Sequence, residues 1–506
     1  MKDKKNDDVI SKLVVDESTG EERLITLHRD HPKPVTRRDF LSTGIIGFSG
    51  MMVAPSILNV LARPEFAFGQ ETDQCSTSGG GLPAFITVNL SGGASLSGNL
   101  PPLNEGRDPL PGYSLLGLGP DSGVMLNDTM SSTMFQGVRV AGTRNATVPA
   151  GHFWLGLANR AAQGTVDKTS LVNVCIASAD DNSGNRKDVS GLIMASGLSG
   201  EILPNLGTTA NTPTGIGHQA AIVTPEAPLI VRNYSDIAGS LRPAGTLATR
   251  LTDARRKKLL ELVGSLSGSQ ARTVASPGSA TGITLARVVE CATGKNVELA
   301  ATTDPGIDPG LEPSVASIWG INPNNKTGTA YAQAAMIYNS LKGNASTSGI
   351  NLGGYDYHGN ARATTNQRDR EAGELVGRIL ETAAVMNKAV MIYVTSDGSV
   401  SAPGGSAFGD RYTNDSGTRG MDYILAFHPN SRPQVKNDPF KHQIGFYTSG
   451  QGASDQSVVG SVEKAAAAVL ANYLSFANQM VRFDTVASGV FQRGDMDEVV
   501  RILPAS

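Results

Sequence analysis

The peptide Gly353-Gly354-Tyr355-Asp356-Tyr357-His358 carries the residue types with the clearest chemical use in this chain. An Asp and a His two positions apart in an extended segment project to the same side, and a carboxylate converging with an imidazole is a donor pair that a divalent cation accepts. The flanking glycines place the pair in a turn. The same residues also have a plain structural use, with Asp356 capping the turn, His358 a hydrogen-bonded and partly buried histidine, and Asp397 simply the start of a loop.

Side chains of this kind need a frame, and the sequence supplies one. Ala84 to Leu90 is a short, β-branched apolar run that ends in Ser91-Gly92-Gly93, which reads as a buried strand and a tight loop. Leu171 to Ala177 repeats the pattern, and Ala389 to Thr395 is a third such run. A helix is predicted over Thr365 to Lys388 from apolar residues at helical spacing, with others at Thr252 to Leu266, Tyr331 to Leu341 and Ser454 to Met480, the last with Ser454 as its N-cap. Buried strands that alternate with helices imply a mainly parallel sheet covered on both faces. Ligands of open parallel sheets bind beyond the carboxyl ends of the strands. Three loops are therefore of interest besides the Asp356–His358 turn: Ser91 to Asn99, Ser178 to Ser190 and Ser396 to Thr418.

Upstream, Val35-Thr36-Arg37-Arg38-Asp39-Phe40-Leu41-Ser42 has the form of a twin-arginine export address. The uncharged run Phe40 to Ala62 is diluted by Gly44, Gly47, Gly50 and Pro55, giving the weak hydrophobicity that suits such export better than a retained membrane anchor. Small residues at Ala67 and Gly69 allow cleavage after Gly69, and Cys75 has no lipobox before it. The expected division is a signal region over 1–69 and one large α/β domain over 70–506, exported folded to the periplasm or beyond, with the translocase of that pathway as its transient partner.

The ten basic and ten acidic residues before position 70 cancel, so the net charge of −3 belongs to the remaining 437 residues. That balance gives no general attraction for nucleic acid or anionic lipid. Three cysteines make no disulfide framework or zinc site. Cys175 and Cys291 read instead as small buried hydrophobes. The glycine, serine and threonine-rich stretches 264–283 and 301–313 read as surface connections.

Across residues 84–430 the order of motifs resembles a bacterial exported family, domain of unknown function fifteen-oh-one, related to the alkaline phosphatase and sulfatase superfamily. Where that family has Gly-Gly-Ala-Asp-Gly-Leu after its first strand, this chain has Gly92-Gly93-Ala94-Ser95-Leu96-Ser97, so Ser95 replaces the acid. Asn185-Arg186-Lys187-Asp188 stands where the family has Arg-Ser-His-Phe. The family segment Gly-Gly-Trp-Asp-Thr-His keeps both its donors as Asp356 and His358, and Ser396-Asp397-Gly398 keeps a carboxylate where the family has Glu. Gly417-Thr418-Arg419-Gly420 puts Arg and Gly in place of Asp and His, with Asp422 two positions on.

The resemblance implies a three-layer α/β fold of alkaline phosphatase type with loop insertions. It also implies a metal site that has lost several ligands, because paired divalent cations need many carboxylates and histidines to neutralise and hold them. Asp356, His358 and Asp397 are left to hold one zinc, calcium or manganese ion, with Asp422 or Asp180 as a fourth ligand. The expected function is a non-catalytic or weakly catalytic exported protein with a periplasmic or surface partner. The alternative is an atypical metal-dependent hydrolase of phosphate or sulfate esters. The sulfatase nucleophile signature is absent around all three cysteines, and Asp121-Ser122, which matches the Asp-Ser pair of alkaline phosphatases, is a dipeptide common in turns. A third arrangement reads Gly93 to Ser97 as a nucleophile elbow, followed by Asp397 and His428 in α/β-hydrolase order. Its second glycine is missing, and Pro101-Pro102 follows where the elbow's helix should run.

Overall fold

The computed structural model describes residues 9–15, 22–28, 82–110, 124–126, 141–143, 152–176, 189–209, 228–240, 306–360, 362–396, 420–437 and 442–504, with one or two positions missing inside some of these stretches and isolated positions elsewhere. The chain divides into two compact units, Met1–Met52 and Val53–Ser506. In the first, β1 (Val9–Val15) and β2 (Glu22–His28) form an antiparallel hairpin in which Val9 faces His28 and Val15 faces Glu22. Arg37 and Arg38 lie outside the described residues.

The second unit holds an eight-stranded sheet. In chain order its strands are β3 (Ala84–Leu90), then β6 (Thr169–Ile176), β7 (Leu206–Gly207), β8 (Leu229–Ile230), β9 (Thr347–Leu352), β10 (Val390–Ser396), β11 (Gly420–Phe427) and β12 (Gln443–Ile444). The short strands β4 (Val124–Leu126) and β5 (Ala141–Thr143) pair separately with each other. The spatial order is β12-β6-β11-β10-β3-β9-β7-β8, and every neighbouring pair is parallel except those made by β11, which runs against both β6 and β10. The architecture is thus α/β with a mixed, mainly parallel sheet.

Alternation along the strands sorts the core into two layers. Ile86, Val88 and Leu90 of β3, Ile392 and Val394 of β10 and Tyr423 and Leu425 of β11 share one cluster with the helices α1 (His152–Ala158), α5 (Pro313–Trp319), α6 (Thr329–Leu341) and α7 (Arg362–Val385). Phe85, Met391, Tyr393 and Ile424 turn to the other face, against α3 (Val189–Ala195) and α8 (Val462–Phe476). Helices therefore cover both faces. Among the described residues the other α-helices with defined bounds are the short α2 (Gln163–Asp167), α4 (Tyr234–Ser240), α9 (Phe483–Ala487) and α10 (Met496–Val499). Among the described residues no helix is long and apolar enough to cross a membrane.

The helix α7 shows why the sequence folds as it does here. Ala372, Leu375, Val376, Ile379, Leu380 and Ala383 recur every three or four positions and are all buried, which makes one apolar stripe on a charged helix. Its crossing with α1 is close enough to bring backbones together. A methyl on Gly373 would overlap the carbonyl oxygen of Phe153, one on Gly156 would overlap that of Arg370, and one on Gly377 would lie 2.6 Å from that of Leu157. The expected helix at Ser454 to Met480 begins later, at Val462. Ser461 is its N-cap and accepts from the Lys464 N–H at 3.3 Å, while Ser454 caps a separate turn by accepting from the Gln456 N–H. Of the segment Thr252 to Leu266 only scattered positions are described. Ala254, Arg255, Lys258, Glu261, Leu262 and Ser265 among them are helical and exposed.

Candidate functional site

Register sets the site's place. Leu90 of β3 lies beside Ser396 of β10 and beside Leu352 of β9, so the three strands end level at the same edge of the sheet. Ser95, Asp356 and Asp397 follow those ends by a few residues. Asp397 is outside the described residues, as are Asp180, Lys187, Asp188, Arg419, Asp121, Ser122, Cys75 and Cys291. Ser396, immediately before Asp397, fastens β10 to the first loop, because its Oγ accepts from the Ala94 N–H at 2.9 Å and donates to the Leu90 carbonyl at 2.7 Å.

Beyond Leu352 the chain bends at Gly354, whose φ is +86°, and then pairs strand-like with the first loop at every second residue, with the Tyr355 N–H donating to Ser91 O at 3.1 Å and the Tyr357 N–H to Gly93 O at 3.3 Å. Gly92 is required there. Its φ of +118° is one that side chains avoid, and a methyl on it would sit 2.8 Å from the Asp356 nitrogen. Extended backbone alternates its side chains. Tyr355 and Tyr357 are therefore 1% and 2% exposed, while the side chains of Asp356 and His358 are 58% and 44% exposed. On the outer side His358 Nδ1 meets Asp356 Oδ1 in a direct polar contact. The two sequence-selected donors are thus together, engaged with one another and open to solvent.

The inner side is a stack of rings over one carboxylate. Tyr357 lies between Tyr355 and Tyr412, with centroids 5.9 Å away on each side. Its hydroxyl donates to Asp369 Oδ1 at 2.8 Å, and Asn99 Nδ2 donates to Asp369 Oδ2 at 3.0 Å. Burial, followed by the nearby Asp369 charge and its hydrogen bond, pushes the Tyr357 hydroxyl far above the ordinary tyrosine range. Tyr355 is raised by burial first and by Asp369 second. Asn99 in turn accepts from the Phe153 N–H at 3.3 Å, and its carbonyl takes the Trp154 indole N–H at 2.6 Å. Sequence reasoning did not single out Asp369, Asn99 or the tyrosines. The Tyr-Asp-Tyr-His alternation was the available signal for the last.

Other sequence-selected residues lie elsewhere. Ser95 is buried as the N-cap residue of a three-residue 3-10 turn, Leu96–Gly98, with its Oγ 3.3 Å from Ser97 Oγ, so the loop is a closed turn and no helix follows it as an elbow requires. His428 follows Phe427, which pairs with Thr169 and Val390 at the starts of β6 and β10. The antiparallel course of β11 therefore carries His428 to the far edge of the sheet. The order Ser95, Asp397, His428 is not a triad in space. His428 packs its ring on Phe476, and burial lowers its pKa.

Asp422 is fully buried on the α3 and α8 face, where it accepts from the Tyr393 hydroxyl at 2.5 Å, so it is a core group and not a fourth ligand at the strand ends. Burial, then the Asp422 charge, raises Tyr393 well above the usual range. Cys175 is a buried thiol raised by desolvation, matching the reading of it as a small hydrophobe. Among the described residues no three His, Cys, Asp or Glu side chains gather as a metal-binding group. No family model, curated protein or solved structure matches the chain.

Proposed function

We propose that this is an exported, non-catalytic binding or assembly protein on an alkaline phosphatase-like scaffold, with its one ion-binding position at the Asp356–His358 pair. The carrying observation is what occupies the strand ends among the described residues. Ser396 bridges two backbone groups, Ser95 pairs with Ser97, and Asn89 Nδ2 donates to Asn351 Oδ1 at 2.6 Å. These are neutral groups satisfied among themselves, and they bring no charge to stabilise paired cations beside an ester. The outward Asp356–His358 pair presents oxygen and nitrogen donors suited to a single zinc, manganese or calcium ion, with Asp397 one residue beyond the fastened Ser396.

Export through the twin-arginine route, with the periplasm or the exterior as destination, is supported by Arg37 and Arg38 ahead of a weakly apolar run. Elemental analysis of protein recovered after export, joined to a panel of aryl phosphate, phosphodiester and sulfate substrates with added zinc, manganese or calcium, tests the reading. At most one ion per chain and background turnover are expected. Robust hydrolysis abolished by Asp397→Ala would instead establish the second reading, an atypical metal-dependent ester hydrolase, which the solvent-open Asp356 and His358 favour.

A further inference from the structure

We propose that Asp369 is the positioning residue of the Asp356–His358 pair. It touches neither. It lies 5% exposed on the inner face of α7 and accepts from both loops that build the site, from Tyr357 Oη in the Asp356–His358 segment and from Asn99 Nδ2 at the end of the first loop. Because Tyr357 sits between Asp356 and His358, at the point where the strand-like pairing with the first loop passes into a turn closed by the Asn360 N–H on Tyr357 O, fixing its ring fixes the direction in which both neighbours leave the chain. Tyr355 adds a second tie, with its hydroxyl donating to the Arg368 carbonyl at 3.0 Å. Asn99 extends the linkage to α1 through Phe153 and Trp154, and α1 is locked on α7 by the glycine crossing. One buried carboxylate thus connects the two site loops to the closely packed α1–α7 pair.

The hydrogen-bond inventory makes this testable by exchange. Asp369 supplies two acceptors, for a hydroxyl and an amide. Asp369→Asn leaves one acceptor for two donors, so whichever way the amide turns, either Asn99 Nδ2 or the Tyr357 O–H loses its acceptor. Combining Asp369→Asn with Asn99→Asp restores both, since the amide then donates to the new carboxylate and its oxygen accepts from Tyr357. Net charge is unchanged, and an oxygen at position 99 still meets the Phe153 N–H.

The readout is the imidazole tautomer of His358, measured by 15N NMR of the full chain and assigned by its loss in His358→Ala. In the native protein the Asp356 contact selects the Nδ1–H form. Asp369→Asn and Tyr357→Phe should both shift His358 toward the Nε2–H form, and the Asn99→Asp, Asp369→Asn exchange should return it. Asn472→Ala, which breaks a buried network on the opposite face, should destabilise the fold without moving the signal. Zinc affinity in Asp369→Asn should fall about 10–100-fold, the usual effect of losing an outer support of a metal ligand.

The inference rests on the proposed site, and the two fail separately. Native protein that takes up no zinc sinks the ion-binding reading but leaves the tautomer result standing. A folded Asp369→Asn or Tyr357→Phe protein with the native His358 signature overturns the positioning role. Should Asp369→Asn fail to fold, Tyr357→Phe decides alone, because it removes only one hydroxyl.

Discussion

Gly373→Ala is the sharpest test of the packing that holds the site. A methyl there would overlap the Phe153 carbonyl oxygen and stand 2.8 Å from its carbon and 3.0 Å from the Leu157 nitrogen. All three atoms are backbone, so no rotamer change relieves the contact, and α1 must move off α7 by about 1 Å. A gap of that size forfeits roughly a quarter to a half of the dispersion energy of each contact it opens. Overpacking of this kind costs about 1–3 kcal/mol, and backbone overlap puts this case at the upper end. Alanine returns about 1 kcal/mol through its higher helix propensity, leaving a net loss of about 2 kcal/mol. Gly164 in α2 is the internal control, since a methyl there meets nothing within 4 Å. Gly164→Ala should be neutral or stabilising by up to about 1 kcal/mol. Urea unfolding of both variants, read at unchanged slope, measures the difference. If Gly373→Ala matches Gly164→Ala, the backbone-level crossing of α1 and α7 is wrong, and with it the support assigned to Asn99 and Asp369.

Other expected outcomes follow from the same observations. Replacing Arg37 and Arg38 with Lys should strand precursor in the cytoplasm, as fractionation and blotting would show; normal export of that variant would remove the basis for the localisation. Asp356→Ala with His358→Ala should abolish metal content and lower thermal stability only in the metal-loaded protein, whereas full occupancy in the double variant would place the ion elsewhere. Tyr355, Tyr357, Tyr393 and Tyr473 all have raised hydroxyls in the fold, burial being the first cause of each. Unfolded tyrosine ionises near pH 10, so the folded state holds protons that the unfolded state releases. Stability should be intact below about pH 10 and fall as pH rises above it. Tyrosine absorbance should change in step with unfolding, and Tyr357→Phe should flatten the alkaline slope; early ionisation in folded protein would contradict the burial.

Much of the frame was legible because its signals are local. Ala84 to Leu90 is a strand with the expected bounds, and the 390–396 and 169–176 strands differ from expectation by one or two residues. Their β-branched, uncharged runs mark strands buried on both faces. The two-residue strands at 206–207, 229–230 and 443–444 offer no period to detect. Ser454 misled because serine caps turns and helices with the same hydroxyl, and the alanine-rich stretch after it has no sharp beginning. Strand direction was the costliest omission. Gly420–Phe427 is buried at every position, so nothing in its pattern distinguishes a parallel from an antiparallel course. That single bit decides whether His428 stands at the site edge or the opposite one.

Asp369 had a readable signal of a different kind. In Arg368-Asp369-Arg370-Glu371 it resembles one more solvated charge, yet Thr365, Asp369, Ala372 and Val376 follow one another at four, three and four positions and are all buried. Its helical phase is that of the apolar stripe. A carboxylate on that phase must be hydrogen-bonded or it would be strongly destabilising, so its partners have to come from whatever α7 packs against. At this end of the helix that is the Asp356–His358 segment and the first loop. Phase therefore points to the support of the site, where charge pattern alone points to solvent.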